Sequence, residues 1–206
     1  MTPGQVVGLL LGGFFLGAVP FSWIIGRARG FDLRREGSGN PGATNLLRVC
    51  GRLDGAVGLV LDTVKGAVPL LAARAVAGSG EVLLLSGVAA VTVLGHVYTP
   101  YLRFSGGKGV ATSLGALAAL APVPSAAALG IFLVVLLTTG MVSAASIAAA
   151  AALVPAVFLF RGGGADIPVQ AVCCLVAVLV VYRHRANISR ILRGEEKRLL
   201  TRKGRK

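Results

Sequence analysis

A polar segment at residues 36–48, EGSGNPGATNLLR, carries the groups that proteins use to hold a phosphate. Its glycines permit positive φ angles that turn backbone N–H groups toward a ligand, and its Ser, Thr and Asn side chains are neutral donors and acceptors. An arginine near its end adds positive charge. The candidate ligands are Gly37, Ser38, Gly39, Asn40, Thr44, Asn45 and Arg48. The alternative is a solvated loop that only connects two apolar segments.

A second segment, residues 95–112, places a glycine-rich stretch before a predicted helix. The stretch combines backbone N–H groups, a positive helix end and a lysine, and anions bind where these meet. Its residues are Ser105, Gly106, Gly107, Lys108 and Gly109. It lacks the glycine spacing of a Walker P-loop and the Ser or Thr directly after lysine, so ATP hydrolysis is poorly supported. The alternative for the lysine is a cation that extends from the membrane interface into water.

Two further segments carry polar residues next to apolar ones. Residues 182–196, YRHRANISRILRGEE, can extend the last apolar span as an amphipathic helix with His184, Asn187 and Ile191 on one side. The alternative there is a basic surface helix with no part in catalysis. Asp62 and Lys65 lie one helical turn apart inside an apolar run, and we interpret them as a buried pair, because unpaired charges are costly at that depth.

The composition indicates a polytopic membrane protein. Of the 206 residues, 55% are hydrophobic and only 14% are charged, with a mean hydropathy of +0.79, whereas ordinary globular domains carry about 25% charged residues. A net charge of +13 in a soluble protein would suggest nucleic acid, but here the basic clusters flank apolar runs. Anionic headgroups and the positive-inside rule explain them better, so no nucleic-acid partner is expected.

The cysteines and histidines predict neither a metal site nor a cofactor. The three cysteines show no metal-ligand spacing, and the two histidines are remote from one another in sequence. The first histidine, His96, is interpreted as a buried, hydrogen-bonded residue rather than a ligand.

The apolar runs predict an all-α fold. About 20 apolar residues cross a bilayer as a helix. The run at residues 110–138 contains Pro122 and Pro124, which do not both fit a helix interior, so we favour two short helices over one bent span. The fold then has seven transmembrane helices, at residues 6–25, 55–76, 82–98, 143–160 and 167–182 with two within 110–138. We predict a single membrane domain over residues 1–206, with a basic interfacial helix and tail at 183–206.

The distribution of basic residues predicts the sidedness. Six lysines and arginines lie within residues 27–52 and ten within 183–206. Seven spans place both clusters and the glycine-rich stretch on one side of the membrane, which the positive-inside rule makes the cytoplasmic face. The N-terminus is then outside and the C-terminus cytoplasmic, and a five-span arrangement leads to the same sidedness.

Five segments together resemble the bacterial acyl-phosphate:glycerol-3-phosphate acyltransferases. They are GSGNPGATNLLR at 37–48, LDTVKGAVP at 61–69, GHVYTPYLRFSGGKGVAT at 95–112, SAASI at 143–147 and HRANISRILRGEE at 184–196. Each alone is unspecific, but they occur in family order over nearly the whole chain. The departures are modest: Ala18 stands where the family commonly has Ser, and Ala186 and Ser189 replace commoner polar and basic residues.

The resemblance implies an enzyme that transfers a fatty acyl group from acyl phosphate to the 1-hydroxyl of glycerol 3-phosphate. The products are lysophosphatidic acid and inorganic phosphate, and ATP, acyl-CoA and metal are not needed. It also implies a multi-pass protein of the bacterial cytoplasmic (inner) membrane with its active site on the cytoplasmic face. The expected partners are the two substrates and the lipid bilayer, and no obligate protein partner is evident. The positions similar to the family's functional residues are Ser38, Arg48, Lys108, Ser146, His184, Asn187 and Glu196, and we add Ser143 as substrate-binding.

The implied reaction suggests a division of roles. As a hypothesis, residues 37–40 and 105–109 hold the acyl phosphate, whereas Arg48 and Ser146 hold the glycerol phosphate. His184 and Asn187 position the hydroxyl or the acyl carbonyl, and the proton acceptor is either His184 or a phosphate oxygen of the donor. An alternative function is a membrane transporter of a phosphorylated small solute, which should show pseudo-repeats and midplane binding. A purely lipid-scaffolding protein would leave the glycine-rich segments unexplained.

Overall fold

The computed structural model describes residues 1–160 and 166–199 of the chain. Regular secondary structure in these residues is helical, as the sequence predicts. The α-helices are α1 (Pro3–Ala18), α2 (Phe21–Ala28), α3 (Ala43–Cys50), α4 (Arg52–Ala77), α5 (Val82–Val97), α6 (Val110–Leu120), α7 (Pro122–Thr139), α8 (Val142–Phe160), α9 (Ile167–Arg183) and α10 (Arg185–Leu192). A 3-10 turn, Pro100–Leu102, follows α5. The predicted turn at residues 161–165 and the end of the basic tail lie outside the described residues.

The helices form two compact units, Met1–Leu120 and Ala121–Lys206. In the first unit α1 packs on α5, and α4 packs on both α5 and α6. Glycines allow these close approaches: a Cβ on Gly17 would overlap the backbone of Thr92, and one on Gly66 would overlap the carbonyl of Thr112. Such small residues let helix backbones approach closely, which is how apolar helices associate in a bilayer.

The first apolar span, predicted over residues 6–25, is broken into two helices near Pro20. α1 ends at Ala18 and α2 begins at Phe21, because Pro20 has no N–H to continue the helix. Together the two helices still form one candidate span, Pro3–Ala28, by length and hydropathy. The break exposes the Val19 carbonyl, which accepts a hydrogen bond from Lys65 Nζ at 2.5 Å.

In the second unit α8 packs on both α7 and α9, and α10 contacts α8 and α9. The predicted helix pair within residues 110–138 is confirmed, with its break at Ala121. Pro122 is the first residue of α7, where its missing N–H costs nothing. Only α6 is short, since α7 has 18 residues. The predicted extension of the last span is bent rather than straight, because α10 leaves α9 at an angle of 56° at His184.

The described part of the chain contains several helices long and apolar enough to cross a membrane. Five qualify singly, and the bent pair α9 and α10 makes six if it is counted as one span, whereas α6 is a shorter apolar helix. The chain is therefore a multi-pass membrane protein by helix length and composition. The count of seven spans and the single domain over residues 1–206 stay predictions.

Candidate active site

The loop that precedes α3 is folded around one buried asparagine. Asn45 is 1% exposed, and its Oδ1 accepts a hydrogen bond from the Ser38 N–H at 2.8 Å. Its Nδ2 donates to the carbonyls of Leu33 at 3.0 Å and Glu36 at 2.9 Å. Gly37 has a φ of 63°, and a Cβ there would overlap Asn45 Oδ1. The contacts of Asn45 and Gly37 therefore hold the loop in one conformation. Their substrate-binding role stays a prediction.

The remaining polar residues of this segment are more accessible. Ser38 and Gly39 are exposed, and Asn40, Thr44 and Arg48 are half-buried. Asn40 Oδ1 accepts from the Gly42 N–H at 3.0 Å, which closes a tight turn before the helix. The predicted loop over residues 36–48 ends earlier than expected, because α3 begins at Ala43 and carries both Thr44 and Arg48. The arginine lies in the last turn of that helix.

Aromatic and charged groups fix the chain just before the segment at residues 36–48. Trp23 Nε1 donates to Asp32 Oδ1 at 3.0 Å, and Arg34 Nη2 donates to Asp32 Oδ2 at 2.7 Å. The hydrogen bonds from Arg34 and then from Trp23 hold the pKa of Asp32 well below its ordinary value. The Arg34 guanidinium also lies 5.4 Å from the centroid of the Trp23 ring, a cation–π distance. These contacts tie the chain after α2 to Trp23 in the first turn of that helix.

The glycine-rich stretch lies at the N-terminus of α6, as predicted. Gly106 and Gly107 are buried, Lys108 is half-buried, and Gly109 has a φ of 85° directly before the helix. The Gly106 N–H donates to the Val97 carbonyl at 3.1 Å, which ties the stretch to the end of α5. The first N–H groups of α6 and the Lys108 ammonium therefore belong to one short piece of chain, the arrangement that binds anions at helix N-termini.

The predicted Asp62–Lys65 pair is confirmed and lies within α4. Lys65 Nζ is 2.8 Å from Asp62 Oδ1, and the two side chains are only 1% and 3% exposed. Ser22 Oγ donates to Asp62 Oδ2 at 2.6 Å. Sequence reasoning missed this serine, since nothing in the local pattern links residues 40 positions apart. His96 is buried, as predicted, with Nδ1 4.0 Å from Asp62 Oδ1.

In the second unit, the predicted residues of α8 and α10 meet at a carboxylate. Glu196 accepts hydrogen bonds at 2.7 Å from Ser143 Oγ, Asn187 Nδ2 and Arg190 Nε. Burial alone would raise the pKa of Glu196, but these hydrogen bonds and the Arg190 charge outweigh it and lower the pKa. Both carboxylate oxygens are engaged, so Glu196 holds Ser143, Asn187 and Arg190 in place. Its substrate-binding role stays a prediction. Sequence reasoning also missed Arg190.

The two other predicted residues of this unit face the backbone of their own helices. His184 is 2% exposed, and its Nδ1 lies 2.8 Å from the Val180 carbonyl. Ser146 is 2% exposed, and its hydroxyl donates to the Val142 carbonyl at 2.8 Å. Both side chains are thus held in one orientation. Within residues 1–160 and 166–199, no three His, Cys, Asp or Glu side chains lie close enough to hold a metal ion.

Comparison with known proteins decides the family. The family model of the glycerol-3-phosphate acyltransferases matches residues 7–194. The chain belongs to the glycerol-3-phosphate acyltransferase family. A glycerol-3-phosphate acyltransferase of Geotalea daltonii is 43% identical over 188 residues, which cover 91% of this chain and 94% of the relative. One from Desulforudis audaxviator is 45% identical over 199 residues, 96% of both chains.

Solved structures of the glycerol-3-phosphate acyltransferase family match the fold. A crystal structure of PlsY (YgiH), an integral membrane glycerol 3-phosphate acyltransferase, in the glycerol 3-phosphate form has a TM-score of 0.88 and 36% identity and covers 95% of this chain and 96% of its own. The lysophosphatidic acid form of PlsY has a TM-score of 0.85 and 35% identity and covers 95% of both chains. The family resemblance of the five segments is thereby confirmed.

Proposed function

We propose that the protein transfers a fatty acyl group from acyl phosphate to the 1-hydroxyl of glycerol 3-phosphate, giving lysophosphatidic acid and inorganic phosphate. The observation that carries the acceptor and the product is the match over 95% of the chain to PlsY in its glycerol 3-phosphate and lysophosphatidic acid forms. The donor rests on the resemblance of the five segments to the acyl-phosphate-dependent family. This reaction makes the protein an enzyme of phospholipid synthesis.

The chemistry demands positioning and charge stabilisation more than a strong nucleophile. Acyl phosphate is a mixed anhydride, so its carbonyl is already activated and phosphate is a good leaving group. The acceptor hydroxyl oxygen forms a new C–O bond to the carbonyl carbon, and the C–O bond to phosphate breaks with its electron pair leaving on phosphate. Oriented donors that stabilise the developing negative charge supply much of the rate enhancement in such acyl transfers.

We assign the donor phosphate to the first unit. The exposed Ser38 hydroxyl follows a loop that Asn45 holds in place, and the Lys108 side chain stands at the N-terminus of α6. Cations and backbone N–H groups preorganised in this way bind phosphate without rearrangement. Ser105, Gly106, Gly107 and Gly109 take part through the backbone of the same stretch.

We assign Ser146, His184 and Asn187 of the second unit to the acceptor, and Arg48 of the first unit stays a predicted phosphate ligand. Arg48 is a guanidinium suited to bidentate contact with a phosphate. Asn187 is oriented by Glu196 through a 2.7 Å hydrogen bond, so its amide is presented in one direction to the hydroxyl or the acyl carbonyl. When His184 Nδ1 carries the proton and donates to the Val180 carbonyl, Nε2 keeps a lone pair that can accept the hydroxyl proton. The other acceptor is a phosphate oxygen of the donor.

We further propose seven transmembrane helices in the bacterial cytoplasmic membrane, with the N-terminus outside and the active site on the cytoplasmic face. This topology counts α6 as a span, although it has only 11 residues, and such a short helix crosses only where protein surrounds it. The support is the charge distribution, with six basic residues in residues 27–52 and ten in 183–206, which the positive-inside rule places in the cytoplasm.

The proposal is tested with purified protein in detergent, palmitoyl phosphate, labelled glycerol 3-phosphate and a chelator of divalent metals. Labelled lysophosphatidic acid is the expected product, and palmitoyl-CoA in place of palmitoyl phosphate should yield none. Product from palmitoyl-CoA alone would overturn the donor assignment. Absence of product with both donors, together with uptake of glycerol 3-phosphate by proteoliposomes, would contradict the enzyme and favour a transporter.

A further inference from the structure

The glycine-rich stretch before α6 rests against the imidazole of His96 at the end of α5. His96 is 8% exposed. A Cβ on Gly107 would overlap Nε2 of His96, and a Cβ on Gly106 would overlap its main-chain carbonyl. The Gly106 N–H is bonded to the next carbonyl, that of Val97, at 3.1 Å. The His96 ring thus packs directly against the backbone of Gly107, the residue before Lys108.

The other edge of the ring faces the buried charges of α4. His96 Nδ1 lies 4.0 Å from Asp62 Oδ1, and the same oxygen is 2.8 Å from Lys65 Nζ. Ser22 fixes the second oxygen of Asp62. This carboxylate is therefore held from α2 and α4, and its Oδ1 faces the ring. The imidazole fills the space between a fixed carboxylate and the glycine backbone.

We infer that His96 is a positioning residue for the phosphate-binding stretch at residues 105–109. The ring is held against Asp62 and packs against the Gly107 backbone, so it fixes the position of that backbone. The position of Gly107 in turn fixes the direction of the N–H groups that follow it and of the Lys108 side chain. The inference rests on the proposed function only in that the stretch binds one of the two substrates. Displacement of such a group by about 1 Å can cost about 10²-fold in rate, so a missing support is measurable in kinetics.

The test is a set of double-substitution cycles in the full-length protein. Gly107→Ala places its Cβ against the side chain of His96, whereas Gly106→Ala places it against the main chain of the same residue. His96→Ala and His96→Asn both vacate the space next to Gly107, and the asparagine keeps a polar group toward Asp62. Both therefore relieve the overlap made by Gly107→Ala but not the one made by Gly106→Ala. Gly12→Ala, in α1 with open space around it, is the control that should leave kinetics unchanged.

Each His96 substitution should lower kcat/KM by about 10-fold to 10²-fold, mainly by raising the KM of one substrate. That substrate should be the one whose KM is raised by Lys108→Ala, whichever it is. Adding Gly107→Ala to either His96 variant should cause little further loss, while adding Gly106→Ala should multiply the losses. Thermal midpoints in detergent show whether the variants stay folded.

The inference would be overturned if Gly107→Ala and Gly106→Ala lowered kcat/KM by the same further factor when added to a His96 variant. It would also be overturned if His96→Asn had the kinetics of the wild type, or if it raised the KM values of both substrates equally. Aggregation of both His96 variants would show a residue needed for folding instead, and would also overturn it. If Lys108→Ala raises the KM of glycerol 3-phosphate, the donor assignment fails while the inference stands, provided that His96→Asn raises the same KM. The two failures are thus distinguishable.

Discussion

Replacing Lys65 by methionine leaves the carboxylate of Asp62 buried without its counter-ion. The two side chains are 1% and 3% exposed, with Nζ and Oδ1 2.8 Å apart. Breaking a buried pair from one side costs about 3–5 kcal/mol, because the remaining charge is desolvated and uncompensated. Lys65→Met is therefore expected to lower the free energy of unfolding by that amount, roughly two to four powers of ten in the unfolding equilibrium.

Neutralising both members of the pair should cost much less. In Asp62→Asn with Lys65→Met, the amide oxygen at position 62 can still accept from Ser22 Oγ, which is 2.6 Å from the native carboxylate. The Val19 carbonyl loses the Lys65 ammonium at 2.5 Å but keeps the Phe21 N–H at 3.1 Å. About one hydrogen bond is lost, on the order of 1 kcal/mol, so the double variant should be more stable than Lys65→Met.

The assay is equilibrium unfolding of the purified protein in mixed micelles, followed by circular dichroism as the fraction of denaturing detergent rises. The matched control is Arg193→Ala, which breaks an ion pair with Glu195 at 2.8 Å whose two side chains are 54% and 57% exposed. Exposed pairs contribute about 0.2–1 kcal/mol, so this control should shift the curve little. If the double variant is as unstable as Lys65→Met, the lost stability does not come from an unpaired charge and the reasoning is refuted.

Three further outcomes are expected. In steady-state assays Lys108→Ala should lower kcat/KM by about 10²–10³-fold, the cost of one preorganised anion-stabilising donor. Lys108→Arg keeps the charge and should retain part of the kcat/KM that Lys108→Ala loses. Equal losses in the two variants would contradict a role of the charge. Glu196→Gln should loosen α10, because the amide nitrogen cannot accept from Arg190, which costs about 1.5–3 kcal/mol, and the neutral amide oxygen binds Ser143 and Asn187 less strongly than the carboxylate. Faster amide hydrogen exchange in α10 is the expected result, and unchanged exchange would contradict the positioning role. Because the pKa of Glu196 is lowered in the folded protein, the ionised carboxylate stabilises the fold fully above pH 4.5, its ordinary pKa, and this stabilisation is lost as the pH falls through the lowered pKa. Amide exchange in α10 of the wild type should therefore become faster in acid, whereas Glu196→Gln should show no such step.

The sequence predicted those features that depend on neighbours in the chain. Helix spans follow from apolar runs, and the break at Ala121 follows from two neighbouring prolines, which fit the first turn of a helix better than its interior. The Asp62–Lys65 pair follows from a spacing of one helical turn in an apolar run. The helix start after Gly109 follows from a glycine that takes a positive φ.

Features that depend on distant parts of the chain were not predictable in the same way. The polar composition of residues 36–48 could not reveal that Asn45 binds carbonyls 9 and 12 positions earlier. The division of α1 from α2 was missed because a proline inside an apolar run also occurs within unbroken helices, as Pro69 does in α4. The hydrogen bond between Ser143 and Glu196 was not predictable, because nothing in the sequence connects two residues that lie 53 positions apart.

Two labels followed in one reaction test the central claim most directly. Acyl transfer breaks the bond between the acyl carbon and oxygen in the donor, and the acceptor keeps its own phosphate. With ³²P in palmitoyl phosphate and ¹⁴C in glycerol 3-phosphate, purified protein is predicted to release all of the ³²P as inorganic phosphate, in equal amount to the ¹⁴C-labelled lysophosphatidic acid formed. Appearance of ³²P in the lipid product, or phosphate release without lysophosphatidic acid, would contradict the acyl-transfer account.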